Sequence, residues 1–200
     1  MRAMKKPDYT KPDFYARKAK AQGFPARSVF KLEELDRRFK VLAKGMRVLD
    51  LGAAPGSWMK YASDKVGPGG LVAGIDRNRL SRQLHPNEVF YEEDVFDTAP
   101  AKLKEEWGTF DLVLSDLAPD TSGQKATDAL RSVALAEQAL KIAETILKPG
   151  GSLLLKVFQG PGFDGFYDLV REKFESVSSS KPKSSRPNSV EMFIFCKSKK

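Results

Sequence analysis

Four carboxylates and one lysine stand at recurring places in this sequence, each at or just past the end of a short apolar run. They are Asp50 in "MRVLDLG", Asp76 in "LVAGID", Asp94 in "VFYEEDVF", Asp116 in "FDLVLSDLAP" and Lys156 in "GSLLLKVFQG". Carboxylates in such a row can accept hydrogen bonds from ribose hydroxyls or amines, whereas a lysine inside a run of the buried kind is costly unless it is paired or used. The first run opens into a glycine loop, "LDLGAAPGSW", with Gly52 and Gly56 and Pro55 before the second glycine. That spacing is not the G-x-G-x-x-G on which a pyrophosphate settles, which counts against a nicotinamide dehydrogenase. A D-x-G loop instead lets the amino-acid end of a small cofactor approach the backbone, with Asp76 placed to accept from ribose hydroxyls. Taken alone, the loop also suits a purely structural glycine turn.

The elements that must carry these residues alternate. The five runs read as strands, and "VEMFIFCK" as a last one. Between them lie the amphipathic stretches "SWMKYASDKV" and "TDALRSVALAEQALKIAETIL", the latter stopped by "KPGG", and then "FDGFYDLVREKF". Strand and helix in alternation predict a mostly parallel sheet covered on both faces. In such a sheet, ligands bind in the crevice at the carboxyl ends of the strands, where the five polar residues fall. The low-complexity piece "SVSSSKPKSSRPNS" combines a short strand with a loop.

The 200 residues, 41% hydrophobic, suffice for one domain with its own core. The single cysteine, Cys196, excludes a disulfide framework and a Cys-rich metal site, and no metal is expected. No window approaches the roughly 20 apolar residues of a membrane span, and a cytoplasmic protein is expected. The net charge of +8 is uneven: residues 1–47 hold 14 Lys+Arg against 5 Asp+Glu, residues 48–172 hold 13 against 19, and residues 173–200 hold 7 against 2. Basic ends interleaved with Tyr9, Phe14, Tyr15, Phe24 and Phe30 predict a face for phosphates and unpaired bases.

From about Ala26 to Cys196 the chain resembles the FtsJ/RrmJ (RlmE-type) family of S-adenosylmethionine-dependent ribosomal RNA 2'-O-methyltransferases. The pieces that carry the resemblance are "RSVFKLEELDRRF", "VLDLGAAPGSW", "SDLAPDTSG", "GGSLLLKVFQGPGF" and "KPKSSRPNSVEMFIF". It implies a Rossmann-like class I methyltransferase α/β fold: a seven-stranded, mostly parallel sheet with an antiparallel last strand, over residues 26–200 behind a basic extension, 1–25. It implies a catalytic tetrad of Lys31, Asp116, Lys156 and Glu191, and cofactor contacts from Gly56, Trp58, Asp76, Asp94 and Asp116. The family's common GGW is here Gly56-Ser57-Trp58, and its APNMSG is Ala118-Pro119-Asp120-Thr121-Ser122-Gly123.

The tetrad can meet. Glu191 starts the last strand, and if that strand runs antiparallel its start lies at the rim where Asp116 and Lys156 end theirs. Lys31 lies early in a helix whose remaining ten or so residues, at about 1.5 Å each, return the chain to the bottom of the first strand. His85, in the loop "QLHPN", reads as a surface residue, so a lysine must serve as the base for a ribose hydroxyl. Burial and neighbouring cations favour the neutral amine this requires, and adjacent carboxylates oppose it. The implied substrate is a uridine of large-subunit ribosomal RNA, within an assembled subunit, and the implied state is a monomer. Transfer RNA methylation and a non-catalytic RNA-binding module are the alternatives.

Overall fold

A computed structural model describes residues 14–186 and 188–200. The first half of the basic extension, Tyr9 and Lys11 included, lies outside the described residues. The elements are α1 (Phe14–Ala21), α2 (Val29–Phe39), β1 (Arg47–Leu51), α3 (Ser57–Val66), β2 (Leu71–Asp76), β3 (Glu88–Glu92), α4 (Pro100–Trp107), β4 (Phe110–Ser115), α5 (Lys125–Ile146), β5 (Leu147–Phe158), α6 (Phe163–Lys173), β6 (Phe174–Ser180) and β7 (Glu191–Lys199). The strands form one seven-stranded sheet in the order β3-β2-β1-β4-β5-β7-β6. β1 to β5 pair in parallel, and β7 runs antiparallel to both β5 and β6. The α/β sheet and its antiparallel last strand are those expected from the sequence.

Period-two alternation splits the strand residues between two faces. Leu49, Leu51, Ile75, Val113, Leu153 and Leu155 pack with Ala139, Ile142 and Ala143 of α5 and with Phe166 and Val170 of α6. Val48, Leu112, Leu114 and Leu154 face Leu32 and Leu35 of α2 and Met59, Ala62 and Val66 of α3. Both clusters are sealed, and each fully buried Leu or Ile contributes roughly 1.5–3 kcal/mol. Helices therefore cover both faces and leave the strand ends as the open rim.

Three local readings change. β3 stops at Glu92, short of Asp94, because Asp94 organises a turn: its Oδ1 accepts from Phe96 N–H at 3.0 Å, and its carbonyl from Asp97 and Thr98 N–H. α5 does end at Ile146, just before "KPGG", but that segment is no loop: it lies inside β5 as a bulge, the register jumping from Phe110↔Leu147 to Leu112↔Ser152. The interleaved aromatics are mainly packing: Phe30 is buried with Val29 and Ala19, and Tyr15 and Phe24 lie against them. Lys18, Arg27 and Lys60 sit over the rings of Phe30, Tyr15 and Phe24. Among the described residues, Phe14 is the exposed member of the set.

Candidate active site

Lys156 sits near the C-terminal end of β5, opposite Phe193 of β7 and one position beyond the last β4–β5 register pair, Ser115↔Leu155. Its side chain is 4% exposed. The ammonium finds its partner where β4 ends: Nζ donates to the main-chain carbonyl of Asp116 at 2.7 Å and to Oδ1 at 2.9 Å. Asp116 is fixed in turn by its own N–H, which donates to Leu51 O at 3.2 Å. The carboxylate is therefore tied to the ends of two central strands.

A second pair adjoins the first. Lys31, in the first turn of α2, donates from Nζ to Glu191 Oε2 at 2.6 Å, and lies 5.8 Å from the ring of Phe193. Glu191 opens β7 opposite Phe158. Burial works to raise its carboxyl, but the charge and hydrogen bond of Lys31, the charge of Lys156 and a bond from Ser189 outweigh this and hold it below the ordinary carboxylate value. All four tetrad residues expected from the sequence are thus brought to one rim, as two lysine–carboxylate pairs beside Phe193.

The approach to Glu191 is held against α2. The Glu34 carboxylate accepts from Lys183 N–H at 2.9 Å and Ser184 N–H at 3.4 Å, Arg27 donates to Ser184 O, and Arg38 donates to Ser180 Oγ at 2.8 Å. Burial, then repulsion from Arg186, pushes the Arg27 guanidinium below its ordinary value, with Glu191 opposing. Positive charge is therefore concentrated beside the rim.

Next to the tetrad a cleft of about 540 Å³ opens between the ends of β1, β2 and β4 and the N-terminal half of α5. Asp76, Asp94 and Asp116 line it, with apolar walls from Ile75, Val95, Phe96, Leu117 and Leu135. Asp76 is part of the loop architecture: Oδ2 accepts from Ala54 N–H at 2.9 Å and Oδ1 from Asn78 N–H at 2.8 Å. Gly52, at φ +79°, has Leu117 so close that a Cβ would lie 3.1 Å from its backbone nitrogen. Gly56 and Trp58 do not line this cleft. Trp58 is buried, its Nε1 donates to Ser28 O at 2.9 Å and its ring packs on Phe193. The way open to either residue for contacting a ligand in the cleft is through main-chain groups at the start of α3.

The donor and acceptor set decides what the cleft can hold. Four carboxylates, counting Asp120, against Arg77 and Arg131 favour a ligand rich in hydroxyl and amine donors and carrying positive charge, and disfavour a pyrophosphate. Deeper, at the end of β1, Asp50 has both carboxylate oxygens buried without a partner among the described residues. Burial first, then the charges of Asp116 and Asp76, push it well above the ordinary value. A nucleoside sulfonium with an amino-acid end fits this chemistry: acceptors for ribose and amine, apolar walls for a base, and an acidic surround for the cations. Phe96 and Arg77 are cleft residues that sequence reasoning missed. Phe96 lies two positions past Asp94 in the turn after β3 and is 56% exposed, a signal visible only once the strand end is known. Arg77 crosses the mouth to Asp120, Nη2 to Oδ2 at 2.9 Å, so the carboxylate that departs from the family pattern is paired. Among the described residues, no group of His, Cys, Asp and Glu could hold a metal ion.

An antiparallel last strand added to a parallel sheet, with an acidic cleft at the carboxyl ends of its strands, defines a methyltransferase of Rossmann-like fold. A crystal structure assigned as a ribosomal RNA methyltransferase from Plasmodium falciparum superposes with a TM-score of 0.76 at 27% identity, over 88% of this chain and 98% of that one. Residues 24–199 match the FtsJ-like methyltransferase family, and the chain belongs to it. The ribosomal RNA large subunit methyltransferase E of Desulfatibacillum aliphaticivorans is 48% identical over 200 residues, 100% of this chain and 97% of its relative. The protein of the same name from Desulfosudis oleivorans is 46% identical over 189 residues, 94% and 91% of the two chains.

Proposed function

We propose that this chain methylates a ribose 2'-oxygen of large-subunit (23S) ribosomal RNA, at a uridine, with S-adenosylmethionine as donor. The observation that carries the reading is the convergence of Lys31, Asp116, Lys156 and Glu191 beside an acidic nucleoside-sized cleft. The names of the relatives support the RNA substrate.

S-Adenosylmethionine, when bound, supplies a methyl carbon on a sulfonium, open to attack by oxygen. Asp76 and Asp94 would hold its ribose and base ends, Asp116 and the main chain at Gly56 and Trp58 its amino-acid end. Lys156 is the base that receives the proton leaving the 2'-hydroxyl. Asp116, accepting two bonds from the amine, sets the direction in which its remaining valence points. Lys31 and Glu191 form a second polar pair that positions the ribose hydroxyl. General-base help of this kind is worth roughly 100- to 10,000-fold. The basic surface beside Glu191, with Lys183 and Arg186, receives RNA phosphates, and the protein is expected to work as a monomer in the cytoplasm. No helix among the described residues is long and apolar enough to cross a membrane.

The test is methyl transfer from labelled S-adenosylmethionine to large ribosomal subunits, free large-subunit RNA and transfer RNA, followed by mapping of 2'-O-methyl groups. Label at a uridine of large-subunit RNA is expected. Label only in transfer RNA, or only on bases, would overturn the substrate assignment.

A further inference from the structure

The connection between β2 and β3 carries a buried ion pair that the reaction scheme leaves unused. The Arg82 guanidinium donates from Nη1 and Nη2 to the two carboxylate oxygens of Glu88 at 2.7 and 2.6 Å, and from Nη1 to Gln83 O at 2.7 Å. The Glu88 side chain is 0% exposed and that of Arg82 12%. Removing two such charges from water is costly, and an apolar pair of similar size would serve packing as well. A further donor shows what the pair reaches: Arg82 Nε donates to the carbonyl of Gly56 at 3.0 Å. Its neighbour Ser81 donates to Pro55 O, from N–H at 3.3 Å and from Oγ at 3.2 Å. Two consecutive residues of the connection therefore grip two consecutive carbonyls of the glycine loop.

Gly56 answers to this contact. It is the N-cap of α3 at φ +106°, and a Cβ there would stand 2.9 Å from Arg82 Nε. Glycine is thus required both by the backbone conformation and by the approach of the guanidinium. The loop so held runs back through Ala54 and Gly52, both of which line the cleft.

We propose that Arg82 and Glu88 are positioning residues for the methyl donor. They fix the Pro55–Gly56 main chain so that the glycine loop and the first turn of α3 meet the donor's amino-acid end without prior reorganisation. The proposal rests on the cofactor assigned under Proposed function. Because the pair holds the glycine loop and makes no hydrogen bond to Lys31, Asp116, Lys156 or Glu191 among the described residues, it sets cofactor affinity and leaves the chemical step alone.

The experiment compares the unaltered protein with Arg82→Met/Glu88→Leu, which leaves no lone buried charge, and with Arg82→Lys, which keeps the charge but not the planar fork. The readouts are thermal unfolding, calorimetric titration with S-adenosylhomocysteine, and KM for S-adenosylmethionine against kcat. For the double variant, the expected result is a melting temperature close to that of the unaltered protein and a Kd and KM raised about tenfold or more. Its kcat at saturating donor should stay within about threefold, since only ground-state binding is touched. Arg82→Lys should fall between the two. A folded double variant with unaltered Kd and KM would overturn the proposal. If the double variant fails to fold, unchanged KM in Arg82→Lys and Glu88→Gln overturns it equally. Failure of the unaltered protein to bind S-adenosylhomocysteine would instead overturn the cofactor assignment, and the proposal with it.

Discussion

Lys31 and Glu191 are 160 positions apart in the sequence and meet at 2.6 Å, so one ion pair joins the start of α2 to the start of the last strand. The folded-state carboxyl of Glu191 is held below its ordinary value of 4.5. The stabilisation from this pair is therefore fully present above that value and is lost as pH falls through the lower folded-state value. Glu191→Gln should cost about 1–3 kcal/mol near neutral pH, and the gap should close in acid. Urea unfolding of both proteins across pH checks this, and a gap that stays constant contradicts it.

Asp50 carries the opposite sign. Its carboxyl is raised well above 3.8, by burial first and then by Asp116 and Asp76. The folded state binds this proton more tightly than the unfolded chain, so its contribution is complete below the ordinary value and declines as pH rises toward the folded-state value. Asp50→Asn should therefore gain stability relative to the unaltered protein between pH about 4 and 7. Melting temperatures measured at both ends decide it, and a gain toward acid would contradict the burial account.

Gly74 lies in β2 against α3, where a Cβ would clash with Met59 Sδ. Gly74→Ala should destabilise by about 1–3 kcal/mol through overpacking. Adding Met59→Ala should recover part of that loss, so the double variant should be more stable than the sum of the single effects predicts. Strict additivity in chemical denaturation would show that the two do not share the space.

RNA binding through the basic surface should weaken steeply with salt. Lys183→Ala should lower the log–log slope by about one unit while weakening all RNA sequences alike. Filter binding between low and physiological salt provides the slope, and salt-insensitive binding would remove the basic ends as the docking surface.

Much of this architecture is legible in the chain because buried parallel strands are written as apolar runs. "MRVLDLG", "LVAGID", "FDLVLSDLAP" and "SLLLKVF" each fall within or just overrun an observed strand. β6 was legible only in outline, since "FESVSSS" at the sheet edge has a single apolar residue after Phe174. α4 is hard to read because "PAKLKEEW" is only two turns long and sets just Leu103 and Trp107 against the core, too few residues for a clear helical period.

The rim was legible from strand-end polar residues and, for Lys31 and Glu191, from the family pattern. Atom-level roles were not. Nothing in "PGSW" says that the Trp58 ring turns under α2 toward Ser28 O and leaves the cleft. Nor does the sequence mark Arg82 as the partner of Glu88, since a loop residue and the first residue of β3, six positions apart, share no periodicity to read. These contacts come from how the β2–β3 connection folds back on the glycine loop, a tertiary event.

The most direct test of the central claim is single-turnover methyl transfer to large-subunit RNA by Lys156→Ala, beside S-adenosylhomocysteine binding by the same variant. Binding within about threefold of the unaltered protein is expected, with the chemical step slowed by roughly 100- to 10,000-fold. A variant that binds and transfers at the unaltered rate would contradict the role of Lys156 as the base.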